Sequence, residues 1–292
     1  MADPIIKLGI PKGSLEEPTL KLFAKSGWKI SMRYRNYFPE INDPAITARL
    51  CRPQEMPMYV AEGVLDVGLT GKDWIQEAGV DVELIDDLIY SKVSNRKARW
   101  VLAVAGDSPY QKPEDLAGKR VSSEIIGLTT RYFKEKNIPV DVQYSWGATE
   151  AKVVEGLADA IVEVTETGST IHAHGLRIID DVLETNTQLI ANRKSWLDPA
   201  KRAKIEQIAM LLQGALKAES LVGLKMNAPK RHLDTILGLL PSLNSPTVAD
   251  LQDSNWVSLE IVVDINILRD LIPRLVCAGA EGIIEYPLNK VI

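Results

Sequence analysis

The sequence predicts an α/β protein built from two successive α/β units and a smaller C-terminal domain. Strand-like and helix-like patterns alternate from the first residues onward, which is typical of sheets covered by helices. The last part of the chain follows the order βαββαβ instead. With 292 residues, of which 46% are hydrophobic and 25% charged, the chain is long enough for two or three such domains.

The first unit begins with a short apolar strand, IIKLGI (5–10), and a helix that Ser14 can cap and Gly27 can end. Two more strand patterns follow, AITARLCR (45–52) and LDVGLTG (65–71). An amphipathic stretch, KDWIQEAG, comes directly after the second of them. This alternation favours a mostly parallel sheet with helices on its faces.

The second unit repeats the alternation of strands and helices. Its strand patterns are RWVLAVAG (99–106), KRVSSE (119–124), VDVQYSW (140–146) and the apolar run from residue 158, with helical patterns at 127–137 and 148–158. The segment 177–193 then crosses back toward the first unit. A long amphipathic helix runs from Pro199 to about residue 219, with Asp198 as its N-cap.

The C-terminal segments have the order of a ferredoxin-like domain, with Pro273 inside the second helix as a site for a kink. We therefore expect three structural parts. They are lobe I (1–95 and 185–220), lobe II (96–184) and a ferredoxin-like, ACT-like domain (221–292).

Composition excludes several classes of protein. A net charge of −5 does not favour nonspecific binding to nucleic acid. Two distant cysteines, Cys51 and Cys277, exclude a disulfide-stapled domain, and we expect them to be reduced and mostly buried. The three histidines, His172, His174 and His232, are too few and too scattered for a zinc site. Without a signal-peptide pattern or a run of ~20 apolar residues, we expect a soluble, cytoplasmic protein without membrane contact.

The stretch ADAIVEVTETGSTI (158–171) carries the strongest chemical signal. Asp159 and Glu163 share one face of a predicted strand, and Glu166 follows in the turn. The turn adds backbone and hydroxyl donors from Thr167, Gly168, Ser169 and Thr170. Such a turn before a helix suits a phosphate, and nearby carboxylates suit ribose hydroxyls. The alternative is a plain helix cap with solvated acids.

This stretch resembles the phosphoribosyl pyrophosphate motif of ATP phosphoribosyltransferase, the first enzyme of histidine biosynthesis. Other pieces occur in the family's order: LGIPKGSLEEPTLKLFAKSGW, RPQEMPMYVAEGVLDVGLTGKDWI, ATEAKVVEGLADAI and LLPSLNSPTVADL with WVSL after it. The resemblance runs from about residue 5 to the end. The tail makes the chain similar to the family's long form, which carries its own regulatory domain.

The resemblance implies a two-lobed, periplasmic-binding-protein-like (type II) fold with the active site in the cleft. It also implies transfer of phosphoribosyl from phosphoribosyl pyrophosphate to N1 of ATP. Mg²⁺ is expected to arrive with the pyrophosphate and to keep several waters, without metal ligands from the protein. Because N1 already has a lone pair, we expect catalysis by positioning and electrostatics.

The resemblance also assigns roles to single residues. The residues matching the 5-phosphate loop are Thr167, Gly168, Ser169 and Thr170. Glu163 is expected to contact the ribose hydroxyls, together with Asp159 and Glu166. Relatives commonly carry aspartate at the position of Glu163. Lys12, after the first strand, is expected to meet pyrophosphate or the phosphates of ATP, or else to be a solvated loop lysine.

Further candidates for binding ATP or pyrophosphate are Gly13, Arg49, Gly71 and Arg99. For each arginine the alternative is an internal ion pair. For Gly71 it is an ordinary turn glycine. In the C-terminal domain, the family binds histidine between subunits of a hexamer. The candidates for that inhibitory site are Asn227, Leu243, Ser245, Thr247, Val262 and Gly282, which otherwise are hairpin and core residues.

Two other functions stay open at this point. Two-lobed folds of this kind also bind solutes without chemistry, and a catalytically silent regulatory subunit of the same pathway is a further alternative. An enzyme needs both ATP and phosphoribosyl pyrophosphate, whereas a solute-binding module binds one ligand without turnover. The expected assembly is a homo-oligomer, from dimer to hexamer, with L-histidine as inhibitor.

Overall fold

The computed structural model describes residues 6–31, 37–90, 97–241 and 245–292. The strands are β1 (Ile6–Pro11), β2 (Ile30–Ser31), β3 (Glu40–Ile41), β4 (Ile46–Cys51), β5 (Val67–Gly71), β6 (Glu83–Leu88), β7 (Ala98–Ala105), β8 (Arg120–Ser123), β9 (Asp141–Tyr144), β10 (Ala160–Thr165), β11 (Leu176–Thr185), β12 (Thr187–Ala191), β13 (Leu221–Pro229), β14 (Thr247–Asp250), β15 (Trp256–Asp264) and β16 (Glu281–Pro287).

The helices are α1 (Glu16–Ser26), α2 (Met56–Ala61), α3 (Lys72–Ala78), α4 (Ile126–Glu135), α5 (Thr149–Val154), α6 (Ser169–Ala173), α7 (Arg193–Leu197), α8 (Pro199–Lys217), α9 (Leu233–Leu237) and α10 (Leu268–Cys277). The chain forms two compact units, Met1–Ala24 with Trp28–Ala209 and Lys25–Gly27 with Met210–Ile292. Within the described residues, none of the helices is long and apolar enough to cross a bilayer.

The first unit contains two five-stranded sheets with the same internal order. The sheet of lobe I runs β4-β1-β5-β12-β6, and that of lobe II runs β9-β8-β10-β7-β11. In each sheet three neighbouring strands are parallel, and the fourth is antiparallel to both of its neighbours. That antiparallel strand is always the first one after the chain has crossed from the other lobe. Only β12 is separated in sequence from the other strands of its sheet, so the chain passes from lobe I to lobe II and back again.

Strand β10 shows how the lobe II sheet is held. Ala160 and Val162 pack on one face with Trp100, and Ile161 packs on the other face with Ile171. Both faces of the strand are thus covered, as expected for a central strand between helices. The apolar alternation ends at Glu163, and from there the chain approaches the carboxyl edge of the sheet.

The second unit is a four-stranded antiparallel sheet in the order β14-β15-β13-β16. Helices α9 and α10 cover one face, where residues such as Leu224, Leu259 and Leu275 form the core. This is the strand order of a ferredoxin-like domain, so the βαββαβ prediction is confirmed. The alternate residues of β13 and β15 lie on the opposite, open face of the sheet.

The predicted fold class is confirmed, and several details differ. Strand β6 was not expected, because its sequence ELIDDL carries three acids in an edge strand. The segment 177–193 does not simply cross back, since β11 still belongs to the lobe II sheet and only β12 joins lobe I. The predicted cap holds, because Asp198 accepts from the backbone N–H groups of Ala200 and Lys201. Pro273 lies inside a continuous α10.

The cysteine prediction is half right. Both thiols are free, but Cys51 is buried whereas Cys277 is exposed. Burial, with the nearby charge of Glu55, raises the pKa of Cys51 to about 12. A thiol with such a pKa stays protonated and acts as a small apolar side chain in the core of lobe I.

Candidate active site

A cleft of about 450 Å³ lies in the first unit, where the carboxyl ends of the parallel strands of both sheets meet. This volume lies within the range of small-molecule sites. The cleft has aromatic walls from Trp74, Tyr90 and Trp100. Its charged and amide side chains are Lys12, Arg52, Gln54, Asp73, Glu124, Glu166 and Asn186.

Lys12 follows β1 at the lobe I edge of the cleft. Its backbone N–H donates to the carbonyl of Cys51 at 2.8 Å, which continues the pairing of β1 with β4. Gly13 has a φ of +102°, which turns the chain away from the sheet. The Lys12 ammonium lies 4.6 Å from the ring centre of Tyr37. Within the described residues it has no carboxylate partner, so its charge is available to an anionic ligand.

The loop after β4 brings Arg52 and Gln54 to the same edge. The Thr70 hydroxyl donates to the carbonyl of Pro53 at 2.7 Å and holds this loop against β5. Gln54 Nε2 donates to Glu124 Oε1 at 3.1 Å, a bond that joins lobe I to lobe II across the cleft. Gln54 Oε1 is buried and has no hydrogen-bond partner in the described part of the chain.

Asp73 is a buried carboxylate on the cleft wall. It accepts from Trp100 Nε1 at 2.6 Å and from the Thr185 hydroxyl at 3.0 Å, and both partners belong to strands of lobe II. Burial raises the pKa of Asp73, although these hydrogen bonds oppose the shift. A Cβ on Gly71 would lie 2.0 Å from Asp73 Oδ1. Because any side chain at position 71 would collide with this carboxylate, packing is a sufficient reason for a glycine at this position.

Glu163 lies next to the cleft on β10, adjacent to the cleft-lining Val164. Its carboxylate accepts hydrogen bonds from the Thr149 side chain and from the Val164 backbone N–H, the latter at 3.1 Å. Burial raises the pKa of Glu163, while the Thr149 hydrogen bond lowers it and the acids Glu150 and Glu124 raise it further. A carboxylate in this setting is a strong acceptor for hydroxyl groups once it is ionised.

The loop after β10 begins at Glu166, which lines the cleft. Gly168 has a φ of +81°, and its N–H donates to the Thr165 hydroxyl at 2.8 Å. The Thr167 hydroxyl donates to the Ser169 hydroxyl at 3.0 Å and accepts from the Ser169 N–H at 3.3 Å. The donors of the loop, including those of Thr170 at the start of α6, are thus gathered in one short exposed turn.

Of the predicted substrate-binding residues, Lys12, Gly13, Gly71 and Glu166 line the cleft, whereas Glu163, Arg49 and residues 167–170 are not among its lining residues. Asp159 and Arg99 do not line it either, and both are bound to other partners. Asp159 lies at the opposite end of β10, four residues or roughly 13 Å along the strand from Glu163. Its carboxylate accepts from the backbone N–H of Arg120 at 3.0 Å and from the guanidinium at 3.4 Å. Arg99 forms hydrogen bonds of 2.7 and 3.0 Å with Asp181. The structure thus separates Asp159 from Glu163 and places Arg99 in an internal ion pair, the alternative to a ligand contact.

Arg49 neither lines the cleft nor forms an ion pair with a described carboxylate. Its guanidinium lies 5.6 Å from the ring centre of Phe38. It lies on β4, opposite Gly9 of β1, two residues before the end of the strand.

Several cleft residues were not singled out from the sequence. Trp100 looks like an ordinary core residue in an apolar strand, and its neighbour Arg99 drew attention instead. Because neighbouring strand residues face opposite sides, only one of the two can face the cleft. Glu124 could have been found, since it directly follows β8 just as Lys12 follows β1. Gln54 gives no signal in the sequence, because only the folded structure brings it to Glu124.

The predicted inhibitor site falls on the open face of the C-terminal sheet. Asn227 and Val262 alternate with core residues of β13 and β15, and Thr247 pairs with Glu260 of β15. A Cβ on Gly282 would lie 3.7 Å from Asn227 Nδ2. Ser245 is exposed shortly before β14. Leu243 lies outside the described residues.

Comparison with known proteins gives a consistent result. A family profile described as ATP phosphoribosyltransferase (HisG) matches residues 52–214, and one described as the HisG C-terminal domain matches residues 218–290. The ATP phosphoribosyltransferase of Nitratidesulfovibrio vulgaris strain DP4 is 72% identical over 287 residues, covering 98% of both chains. That of Solidesulfovibrio magneticus is 67% identical over 290 residues, covering 99% of both.

A solved structure agrees with these matches. A chain of the ATP phosphoribosyl transferase (HisG:HisZ) complex from Thermotoga maritima has 28% sequence identity and a TM-score of 0.63, with 74% of this chain and 100% of that chain covered. The resemblance inferred from the motifs is therefore confirmed. The chain belongs to the ATP phosphoribosyltransferase family, the transferases that catalyse the first step of histidine biosynthesis.

Proposed function

We propose that the cleft between lobe I (1–95 and 185–220) and lobe II (96–184) joins ATP to phosphoribosyl pyrophosphate. The observation that carries this proposal is the opposition of charges across the cleft. Among the described residues, Lys12 and Arg52 lie at the lobe I edge without a carboxylate partner, and the lobe I carboxylate of Asp73 is already bound by Trp100 and Thr185. Carboxylates and a donor-rich loop lie at the lobe II edge. A phosphorylated ribose with a pyrophosphate leaving group presents complementary groups to both edges.

In this proposal the loop 167–170 binds the 5-phosphate of the ribose. Its short turn offers backbone N–H groups and three hydroxyls, and Gly168 allows a phosphate to approach the backbone closely. Glu163 and Glu166, at the end of the same strand, accept hydrogen bonds from the ribose hydroxyls. Carboxylates there also stabilise the positive charge that develops on the ribose when the leaving group departs.

The chemical step is a displacement at C1 of the ribose. The lone pair of adenine N1 forms the new N–C bond, and the bond from C1 to the pyrophosphate oxygen breaks with its electron pair going to pyrophosphate. Lys12 and Arg52 stand at the lobe I edge, where they balance phosphate charge. No side chain has to remove a proton before attack, so the protein contributes by orientation and by fixed charges.

We assign Mg²⁺ to the pyrophosphate of the substrate. Mg²⁺ commonly keeps several waters and binds through phosphate oxygens of the substrate, so an ion that arrives with the pyrophosphate needs no set of ligands from the protein. When bound, the ion neutralises charge on the leaving group.

We also propose that the C-terminal domain (221–292) binds L-histidine and lowers turnover. Supporting this, Asn227, Thr247 and Val262 lie on a sheet face that the domain's own helices leave open. An open sheet face suits a ligand shared with a second copy of the chain, which fits an assembly between dimer and hexamer. Replacing Asn227 by leucine is then expected to abolish inhibition while keeping uninhibited turnover, whereas alanine at its strand neighbour Lys225 is expected to change neither.

The test follows the ultraviolet change that accompanies alkylation of adenine N1. Purified protein is mixed with ATP, phosphoribosyl pyrophosphate, Mg²⁺ and a pyrophosphatase, with and without histidine. Turnover that requires both substrates is expected, and histidine is expected to suppress it. Turnover without suppression would keep the transferase and discard the inhibitor site. Folded protein that binds one ligand without turnover would instead indicate a solute-binding module or a silent regulatory subunit.

A further inference from the structure

The N-terminus of helix α4 in lobe II is capped by a side chain from lobe I. Glu77, on α3, accepts hydrogen bonds from the backbone N–H of Gly127 at 2.8 Å and from that of Leu128 at 2.7 Å. Ile125 stands at the N-cap position of α4, and its apolar side chain cannot accept these bonds. The first N–H groups of a helix have no partner within the helix, and a carboxylate there also meets the positive end of the helix dipole. The first turn of α4 therefore keeps this cap only while the two lobes keep their positions.

Two further hydrogen bonds from lobe I end on the same part of lobe II. Gln54 Nε2 donates to Glu124 Oε1 at 3.1 Å, and the Arg131 guanidinium donates to the carbonyl of Gln76 at 2.6 Å. Together with the two bonds of the α4 cap, these form a group of four hydrogen bonds, which we call the interlobe clamp. Because Glu124 lines the cleft, the clamp holds the segment that carries a cleft carboxylate.

The clamp lies away from the strands at which the chain crosses between the lobes. The chain enters lobe II at β7 and leaves it after β11, and the bonds of Asp73 to Trp100 and Thr185 are made there. Strand β8, which ends directly before Glu124, is separated from β7 by β10, so it lies roughly 10 Å away across the sheet. Two bodies joined along one line can rotate about it, whereas a second contact at a distance fixes the rotation. The clamp therefore sets how far lobe II can turn away from lobe I.

We infer that Glu77 is a positioning residue for the transfer reaction. Through the clamp it holds the lobe II edge, with Glu124, at the separation from lobe I that a substrate contacting both edges requires. The inference rests on the proposed function, in which phosphoribosyl pyrophosphate places its ribose phosphate on lobe II and its pyrophosphate on lobe I. It adds to that function a residue that is not among those lining the cleft.

A positioning role has a consequence that a purely structural role lacks. A ligand that spans the cleft binds only those molecules whose lobes are correctly placed, and its apparent affinity falls in proportion to that fraction. A fragment that contacts one lobe is not affected by the separation of the lobes. Loss of the clamp should therefore weaken the binding of phosphoribosyl pyrophosphate, while ribose 5-phosphate and pyrophosphate bind as before. Damage to either lobe would weaken the fragments as well.

Calorimetry on the full-length protein, with Mg²⁺ and without ATP, measures the binding of these ligands. For Glu77→Ala we expect phosphoribosyl pyrophosphate to bind about tenfold more weakly, which corresponds to ~1.4 kcal/mol, with both fragments unchanged. The matched control is Gln76→Ala, one residue earlier on the same helix. It removes an exposed side chain but keeps the backbone carbonyl that accepts from Arg131. This control should bind all of the ligands as the parent does.

Gly127→Ala disturbs the clamp from the side of lobe II. An added Cβ would lie 3.2 Å from both carboxylate oxygens of Glu77, so alanine crowds the carboxylate away from the N–H groups. Alanine is also a better helix residue than glycine, so the variant is not expected to lose folding stability. It should weaken phosphoribosyl pyrophosphate in the parent and add nothing in the Glu77→Ala background. Additive losses from the two substitutions would contradict a shared contact.

The separation of the lobes is measured without any ligand by pulsed electron paramagnetic resonance. Spin labels are attached to Lys21→Cys on α1 and Asp107→Cys after β7, which are exposed positions in lobe I and lobe II, after Cys277→Ser has removed the exposed native thiol. Glu77→Ala should broaden the distribution of distances between the labels. Gln76→Ala should leave the distribution unchanged.

Three outcomes would overturn the inference. Unchanged distances in Glu77→Ala would show that the clamp does not hold the lobes. Equal weakening of the whole substrate and of both fragments would show that Glu77 only stabilises the fold. The same losses in Gln76→Ala would assign the effect to α3 in general and not to the carboxylate. Parent protein that binds no phosphoribosyl pyrophosphate would instead refute the proposed function, and the label distances would still decide whether Glu77 holds the lobes together.

Discussion

The two lobes of the first unit share one strand order and carry opposite charges at the edges that face the cleft. At the lobe I edge, Lys12 and Arg52 follow the parallel strands β1 and β4. At the lobe II edge, Glu124 and Glu166 follow β8 and β10. The shared strand order therefore sets the positions of the functional residues, and the identity of the residues directly after each strand determines which charge each lobe presents to the cleft.

The carboxylates near the cleft also differ from one at the opposite end of the strands. Asp66, at the opposite end of β5 from the cleft, is buried and fully engaged by Ser195 at 2.6 Å, Lys201 at 2.6 Å and the Lys7 N–H at 2.8 Å. Glu163, near the cleft, is only half-buried and has fewer donors. Among the described residues, the filled carboxylate of Asp66 stabilises the fold, whereas the Glu163 carboxylate retains acceptor capacity for a ligand.

The largest effect is expected from Gly168→Val in the lobe II loop. A side chain at a φ of +81° is strained, and its Cβ would lie 3.3 Å from Ile178 Cδ1. The loop should shift and lose its phosphate, with turnover falling by about 100-fold or more. Steady-state kinetics at saturating ATP measures this.

The control is Gly156→Val, at a φ of +70° with open space around its Cβ. It imposes similar backbone strain in the same lobe, at the end of α5. Turnover close to the parent is expected for this variant. Comparable losses in both variants would show that strain in lobe II, and not the phosphate loop, lowers turnover.

A smaller effect is expected from Glu163→Gln, compared with Asp159→Asn on the same strand. Loss of one charge-assisted hydrogen bond to the ribose should lower kcat/KM for phosphoribosyl pyrophosphate about 10- to 100-fold. Asp159→Asn should change it by no more than about twofold, because that carboxylate lies at the far end and binds Arg120. Equal losses of kcat/KM in the two variants would contradict the proposal that only the carboxylate near the cleft contacts the ribose.

The same pair gives a pH test. Burial raises the pKa of Glu163, and its ionised form is the acceptor of the ribose hydroxyls. Activity should therefore fall as the pH drops through this raised pKa, at a higher pH than for an ordinary glutamate. In Glu163→Gln the acid limb of the profile should be lost, whereas Asp159→Asn should retain it.

The smallest effect on turnover is expected from Lys201→Met at the opposite edge of lobe I. It leaves Asp66 buried without its ion-pair partner, which should cost about 3 kcal/mol of unfolding free energy. Thermal denaturation should show a Tm lower by roughly 6–12 °C, with near-normal turnover below that temperature. Arg202→Met on the same helix removes the exposed pair with Glu206 and the contact of the guanidinium with the Trp196 ring, and it should lower Tm by only about 2–4 °C.

The folding stability that Asp66 contributes is also expected to depend on pH. Burial acts to raise the pKa of Asp66, but Lys201, Ser195 and the Lys7 N–H together lower it. The stability from this group is present above the pKa of an unfolded aspartate and is lost as the pH falls through the lowered folded value. Denaturant titrations should therefore show a weaker acid dependence in Lys201→Met. An unchanged acid dependence would contradict this role of the pair.

The sequence predicted the fold better than the cleft. Strand and helix patterns are local, so the lobes and the ferredoxin-like order could be seen in the printed residues. The loop 167–170 and Lys12 were singled out because they directly follow strands, and Lys12 lines the cleft. The rest depends on contacts between distant segments, such as Trp100 with Asp73 or Gln54 with Glu124. Such pairs have no spacing signal, and the sequence therefore drew attention to Arg99 and not to its neighbour Trp100, which lines the cleft.

The most direct test asks whether lobe II binds the ribose phosphate and lobe I binds the pyrophosphate, and it uses these two fragments of the substrate separately. Calorimetry measures binding of ribose 5-phosphate and of pyrophosphate with Mg²⁺ to the parent, Gly168→Val and Lys12→Met. Gly168→Val is expected to weaken the binding of ribose 5-phosphate about tenfold or more and to leave pyrophosphate binding unchanged. Lys12→Met is expected to weaken pyrophosphate binding and to leave ribose 5-phosphate binding unchanged. Equal weakening of both fragments in both variants would contradict the assignment of ribose phosphate to lobe II and pyrophosphate to lobe I.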